Sequence, residues 1–281
     1  MKSLRKTLDR FYRDYDFQRR LLLDPIEFPH RYKNPQDIEI TGFIATCLAY
    51  GKVGLFKPVL EQLFLKMGSS PHDFILSTSV AKQQQTFAGI KYRFNENEDI
   101  ICLFFILRNI LQQHGSLYHL FKLHHHVEDK TIENGLSGFM EAARNINTSA
   151  VYGKNIKTDG LLQFFSSPVQ GSACKRANLF LRWMIRDRDI DFGIWKDIPK
   201  NRLVIPLDTH IARISRCLAF TSRKTQDWKM AMEITEALKR YDPEDPLKYD
   251  FALCHHGISG VCKGRTDPAA CRSCTFSSLV S

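Results

Sequence analysis

No run of apolar residues in the chain approaches the ~20 that a membrane-crossing helix needs. The opening stretch, MKSLRKTLDRFYRDYD, lacks the apolar segment of a secretory signal peptide and is dense in charge. Both absences point to a cytoplasmic chain, where thiols stay reduced. Its eight cysteines are then read as core residues or metal ligands rather than disulfides. Series of alternating apolar and polar residues are missing too, which argues against a sheet protein. There are no internal repeats and no low-complexity linkers, which sets aside solenoids and tethered modules. Acid is in deficit: 30 Asp and Glu face 40 Lys and Arg, for a net charge of +10 and a pI near 9.2. Such an excess favours an anionic partner, of which nucleic acid is the commonest.

What is present is globular and helical. The 281 residues are 43% apolar and 25% charged, with room for one large domain or two medium ones. Helical spacing of Leu4, Leu8, Phe11, Tyr12 and Tyr15 predicts a helix over 3–23, and Pro25, Pro29 and Pro35 then mark a connection. Buried helices are expected over 37–50, 55–67 and 99–113, followed by another within EDKTIENGLSGFMEAARNI. The histidine triplet 124–126 reads as a polar surface patch, because consecutive residues on a helix point in different directions.

The third quarter carries the chemistry. SSPVQGSACKRANLFLRWMIRDRD begins as a turn and continues as a helix. At 100° per residue, Arg182 and Arg186 fall within about 20° of Lys175, and Phe180, Leu181, Trp183 and Met184 lie opposite. A basic stripe headed by Lys175 therefore runs down one face. DFGIWKDIPKNRL is an irregular insert, and VIPLDTHIARISR then delivers one carboxylate, Asp208, to the start of a helix. Asp208 alone reads as a helix cap. Further helices follow in KMAMEITEALKRY and LKYDFALCHHGI.

GSACKRANLFL followed by VIPLDTHIARI resembles the helix-hairpin-helix DNA glycosylase superfamily, the group of endonuclease III, the adenine glycosylases and the 8-oxoguanine glycosylases. Gly171, Lys175, Ala177 and Asn178 match its hairpin and lysine helix. Asp208, Thr209, His210 and Arg213 match its Val-Asp-Thr-His segment, and His256-Gly257 with Cys262, Cys271 and Cys274 resemble the tail of its iron–sulfur members. RWM and YDFAL point to a bacterial branch of that group. The correspondence covers residues 37–67 and 160–274.

The resemblance implies an all-α, two-lobed fold, with one lobe at 37–150, the other at 1–36 plus 151–253, and a Cys-rich tail at 254–281. It implies a monomeric DNA base-excision glycosylase with lyase activity, acting on double-stranded DNA that holds a damaged or mismatched base. Lys175 would be the nucleophile and Asp208 the stabiliser of positive charge on the sugar. The physics agrees: a turn before a helix N-terminus offers N–H groups to phosphate, and a flipped base needs a pocket. Gly171, Ser172, Ala173, Arg176, Arg182, Tyr50, Lys52, Lys263 and Arg265 are the expected DNA contacts. The alternative is a non-catalytic DNA-binding protein that uses the hairpin as a phosphate clamp.

Three departures stand out. The hairpin reads Gly171-Ser172-Ala173, where the family carries glycine at both ends. Lys175 and Asp208 lie 33 positions apart, longer than in endonuclease III, with the 187–203 insert between them. Gly51 stands where endonuclease III has a glutamine that fills the space of the flipped base, so either another residue plugs the gap or the duplex is not opened that way. In the tail, CRSC with Cys262 upstream has ligand spacing, but no further cysteine follows. Cys254, Cys262, Cys271 and Cys274 could hold an iron–sulfur cluster, or His255 or His256 could complete a zinc site with three thiolates, or the tail holds no metal. Cys47, Cys102, Cys174 and Cys217 read as small core residues.

Overall fold

The computed structural model describes residues 2–259, 271 and 274–276. Among them the secondary structure is helical, with no strand and only two isolated bridges, Tyr92 with Asn95 and Ser172 with Asp227. The α-helices are α1 (Lys2–Arg13), α2 (Phe17–Leu21), α3 (Pro35–Leu48), α4 (Val53–Met67), α5 (Pro71–Ser77), α6 (Val80–Thr86), α7 (Asn97–His114) and α8 (Leu117–His124). They continue as α9 (Glu133–Asn145), α10 (Ser149–Tyr152), α11 (Asp159–Leu162), α12 (Lys175–Ile185), α13 (Thr209–Cys217), α14 (Trp228–Lys239) and α15 (Asp250–Ile258). The chain is all-α. No single helix among the described residues is long and apolar enough to cross a membrane. It forms two compact units, residues 1–19 with 171–281 and residues 20–170, so segments 20–36 and 151–170 go with the second.

In the 20–170 unit, α3 and α7 are apolar on nearly every side and accordingly sit in the core, as expected for helices without a polar face. Their acids are put to structural use. Glu39 of α3 accepts from the Leu117 and Tyr118 N–H groups at 2.9 and 3.1 Å and so caps α8. Asp37 accepts from the His72 N–H at 2.9 Å at the start of α5. Within the histidine triplet, His125 is buried beside Asp129 and His126 is exposed. His124 lies over Gly138, where a Cβ would meet its Cβ, Cγ and Nδ1. The expected surface patch is therefore partly a packing feature of α8 against α9.

In the other unit, the helix expected over 3–23 breaks after Arg13 and resumes as α2. α12 carries Trp183 into the core, and Trp195 packs edge-on to Phe180 at 5.4 Å. The 187–203 insert folds back on α12. Phe192 and Trp195 N–H groups donate to the Trp183 and Met184 carbonyls at 2.8 Å each. Carbonyls that a helix end leaves without partners are thus satisfied. Leu203 to Leu207 then run buried and extended, and Asp208 starts α13.

Candidate functional site

The site is built at the first turns of two helices in the 1–19/171–281 unit. Gly171 has φ +76°, and a Cβ there would meet open space, so the left-handed backbone rather than crowding favours glycine. Its carbonyl accepts from the Trp228 N–H at 3.2 Å, tying the turn to α14. Ser172 Oγ accepts from the Cys174 N–H at 3.2 Å, and Asn178 Nδ2 donates to the Ala173 carbonyl at 3.1 Å. Cys174, buried, takes φ +49° as the residue before α12. Gly171, Ser172 and Ala173 thus form one tied, solvent-reaching turn, and Lys175 is the first residue of the helix it launches. Arg176 is half-buried beside it.

Lys175 Nζ lies 3.1 Å from Asp208 Oδ2, with the lysine side chain 39% exposed and the aspartate 12%. The 33-position separation is closed because the insert returns along α12 and the buried segment 203–207 brings the chain back to its N-terminal end. Asp208 is also the helix cap: Oδ1 accepts from the His210 and Ile211 N–H groups, both at 2.9 Å. Burial pushes its carboxyl up, but the Lys175 ammonium, the Ile211 N–H and His210 outweigh burial and hold it below the ordinary carboxylate range. The acid stays ionised.

α15 closes the far side. A Cβ on Gly257 would lie 2.7 Å from His210 Cβ, so this glycine permits a close approach of α15 to α13. Arg213 Nη2 donates to the Gly257 carbonyl at 2.9 Å. Cys254, one turn earlier, points its Sγ at Asp208 Oδ2 at 3.6 Å. By spacing Cys254 belongs with the tail cysteines, but the fold sets its thiol against the carboxylate.

Arg182 corrects the expected basic stripe. Its side chain is 3% exposed and paired with Asp250 at 2.5 Å and Asp191 at 3.3 Å, so it presents no cation to a ligand. Arg186 is equally enclosed by Asp189, Asp191 and Asp245. Two of these carboxylates, Asp189 and Asp191, are legible directly after the arginines.

In the 20–170 unit, the Tyr50 hydroxyl donates to the Tyr92 carbonyl at 2.9 Å and to Asn95 Oδ1 at 2.6 Å, and Lys52 is exposed. Gly51, φ +82°, lies under Arg93: a Cβ there would be 2.5 Å from Nη1. The Arg93 guanidinium stands 5.6 Å from the Tyr50 ring centre and 5.4 Å from that of Phe94, which is 66% exposed. Arg93 and Phe94 were absent from the sequence reading, although the aromatic–basic–aromatic string YRF marks them.

The tail does not assemble a metal centre among the described residues, where no group of three His, Cys, Asp or Glu side chains is gathered for one. Cys274 Sγ lies 3.7 Å from His256 Nε2, and the Cys274 N–H donates to the Cys271 carbonyl at 3.2 Å. His256 sits between the Phe11 and Phe276 rings, and burial with the nearby Arg213 lowers its pKa. Cys254 faces Asp208 instead. Cys262, Lys263 and Arg265 lie outside the described residues. Among the described residues neither an iron–sulfur cluster nor zinc has a full set of ligands.

These features define a helical protein with a lysine–carboxylate pair at adjoining helix starts. Residues 24–259 match the family described as "protein of unknown function (DUF2400)", and the chain belongs to that family. No curated protein and no solved structure matches it.

Proposed function

We propose that the protein is a DNA base-excision glycosylase with lyase activity, of the helix-hairpin-helix kind, acting on double-stranded DNA that carries a damaged or mismatched base. The observation that carries the reading is the 3.1 Å pairing of Lys175 with Asp208 at the first turns of two helices, next to a tied turn open to solvent. Lys175 Nζ, once deprotonated, attacks the sugar C1′ and the glycosidic bond breaks, the electron pair leaving with the base, which takes up a proton. The nitrogen of the resulting N,O-acetal then loses a proton, its lone pair expels O4′, which takes up a proton as the sugar ring opens, and a Schiff base links Lys175 to C1′. Asp208, held ionised, stabilises positive charge on the sugar as the base leaves. The Gly171–Ala173 turn and the start of α12 supply backbone donors for a phosphate, a contact that positions DNA without reading its sequence. The exposed Arg93–Phe94 pair has the chemistry to stack on an unpaired base.

The two capping bonds of Asp208 favour a second reading, a non-catalytic clamp in which the carboxylate only starts its helix. Borohydride reduction with abasic-site duplex DNA separates the two. The lyase reading expects a covalent adduct that Lys175→Gln abolishes, whereas tight DNA binding without an adduct establishes the clamp.

A further inference from the structure

The Asp208 carboxylate divides its work between its oxygens. Oδ1 is committed to the backbone, accepting from His210 and Ile211 N–H at 2.9 Å each. Oδ2 meets Lys175 Nζ from α12 at 3.1 Å and the Cys254 thiol from α15 at 3.6 Å. The thiol's place is fixed by the tight contact of Gly257 with His210 and by the Arg213 bond to the Gly257 carbonyl, both less than a turn away on α15. The charged and titratable groups that act on the carboxylate include Lys175 from α12, His210 from α13, itself in contact with Arg213, and Asp250 with Cys254 from α15.

Resting on the lyase reading, we propose that Cys254 is a positioning residue: its thiol donates to Asp208 Oδ2 and keeps that oxygen satisfied when Lys175 leaves it for the sugar carbon. An oxygen this enclosed loses a donor at a cost, because the carboxylate is only 12% exposed and water cannot freely replace the ammonium. A weak donor suits the task. The S–H draws off part of the charge that would otherwise bind the ammonium, yet it is too weak to displace Lys175 from the resting pair. Removing the donor concentrates the carboxylate on Lys175, which then holds its proton to higher pH.

The test uses the full chain, with Cys254→Val as a volume match without a donor, Cys254→Ala as a smaller donor-free variant, and Cys254→Ser as a donor replacement. Lys175 reactivity toward an amine-acylating reagent is followed across pH by peptide mass spectrometry, with no DNA present. The expected result is acylation about threefold slower at a given pH in Cys254→Val and Cys254→Ala, with the midpoint moved upward, and a midpoint at or below the parental one in Cys254→Ser, whose hydroxyl is the stronger donor. The borohydride-trapping rate on abasic DNA shifts in the same sense. Unshifted midpoints in both donor-free variants overturn the assignment, since a purely packing role would change amplitude and melting but not the profile. A shifted labelling profile in a chain that forms no DNA adduct supports the thiol–carboxylate coupling and overturns the lyase reading.

Discussion

α12 offers two versions of the same charge pairing, one at each end of a single face. At its start, Lys175 is 39% exposed and meets one carboxylate brought from 33 positions away. Two turns further on, Arg182 and Arg186 are 3% exposed and shared among Asp189, Asp191, Asp245 and Asp250. A guanidinium stays charged and fills several acceptors with a planar fork, which suits a closed network. An ammonium on a flexible stem at the mouth of a turn can leave its partner. The same stripe therefore holds architecture at one end and the capacity for chemistry at the other, and exposure rather than charge tells them apart.

The largest effect that would sharpen the contrast is on activity. Lys175→Gln should abolish the borohydride adduct while moving thermal unfolding little, because the amide keeps a donor for Asp208 and the charge of the 39% exposed lysine contributes on the order of 1 kcal/mol or less. Asp191→Ala should do the reverse. It strips a fully enclosed carboxylate from two buried arginines and should cost about 3–5 kcal/mol, read as a drop of roughly 10 °C or more in melting temperature. If Asp191→Ala melts like the parent, the closed network is not what holds the insert to α12. Asp208→Asn falls between them: on the proposed lyase function, base removal from a lesion-bearing duplex should slow by ~10²-fold through loss of the charge that would stabilise the sugar cation. Retained rates in that variant would confine Asp208 to its capping bonds.

The smallest effect is a pH slope. Burial pushes Asp250 up to about 6 even with Arg182 beside it. An aspartate that binds its proton more tightly folded than unfolded gives stability that is full below the unfolded value near ~3.9 and lost as pH rises through about 6. Asp208 has the opposite sign, and its contribution is lost only as pH falls below the ordinary carboxylate range. Between roughly pH 4.5 and 7, urea unfolding of the parent should therefore lose on the order of 1–2 kcal/mol relative to Asp250→Asn. Parallel profiles for the two chains would remove Asp250 as the source.

Periodicity carried the helices that bury apolar faces: the expected helices over 37–50, 55–67 and 99–113 appear as α3, α4 and α7 within a few residues at each end. The short helices α5 and α6 escaped, because seven residues give too few turns to display a period. The Lys175–Asp208 pairing was open to expectation only through resemblance, since spacing along the chain says nothing about how an insert folds. The insert read as irregular because its order comes from bonds to α12 carbonyls and to buried arginines, neither of which leaves a local pattern. The same limit hid Cys254, whose partner lies 46 positions away, and Arg93 over Gly51, where contact depends on a turn and not on a repeat.

The central claim is that the Lys175 side chain, and no other amine, attacks the sugar. Peptide mapping of the borohydride-reduced complex with abasic-site DNA tests it most directly. The account predicts that the sugar remnant is found on the peptide holding Lys175. A remnant on the N-terminal amine or another lysine, or no remnant at all from a complex that binds DNA, would contradict it.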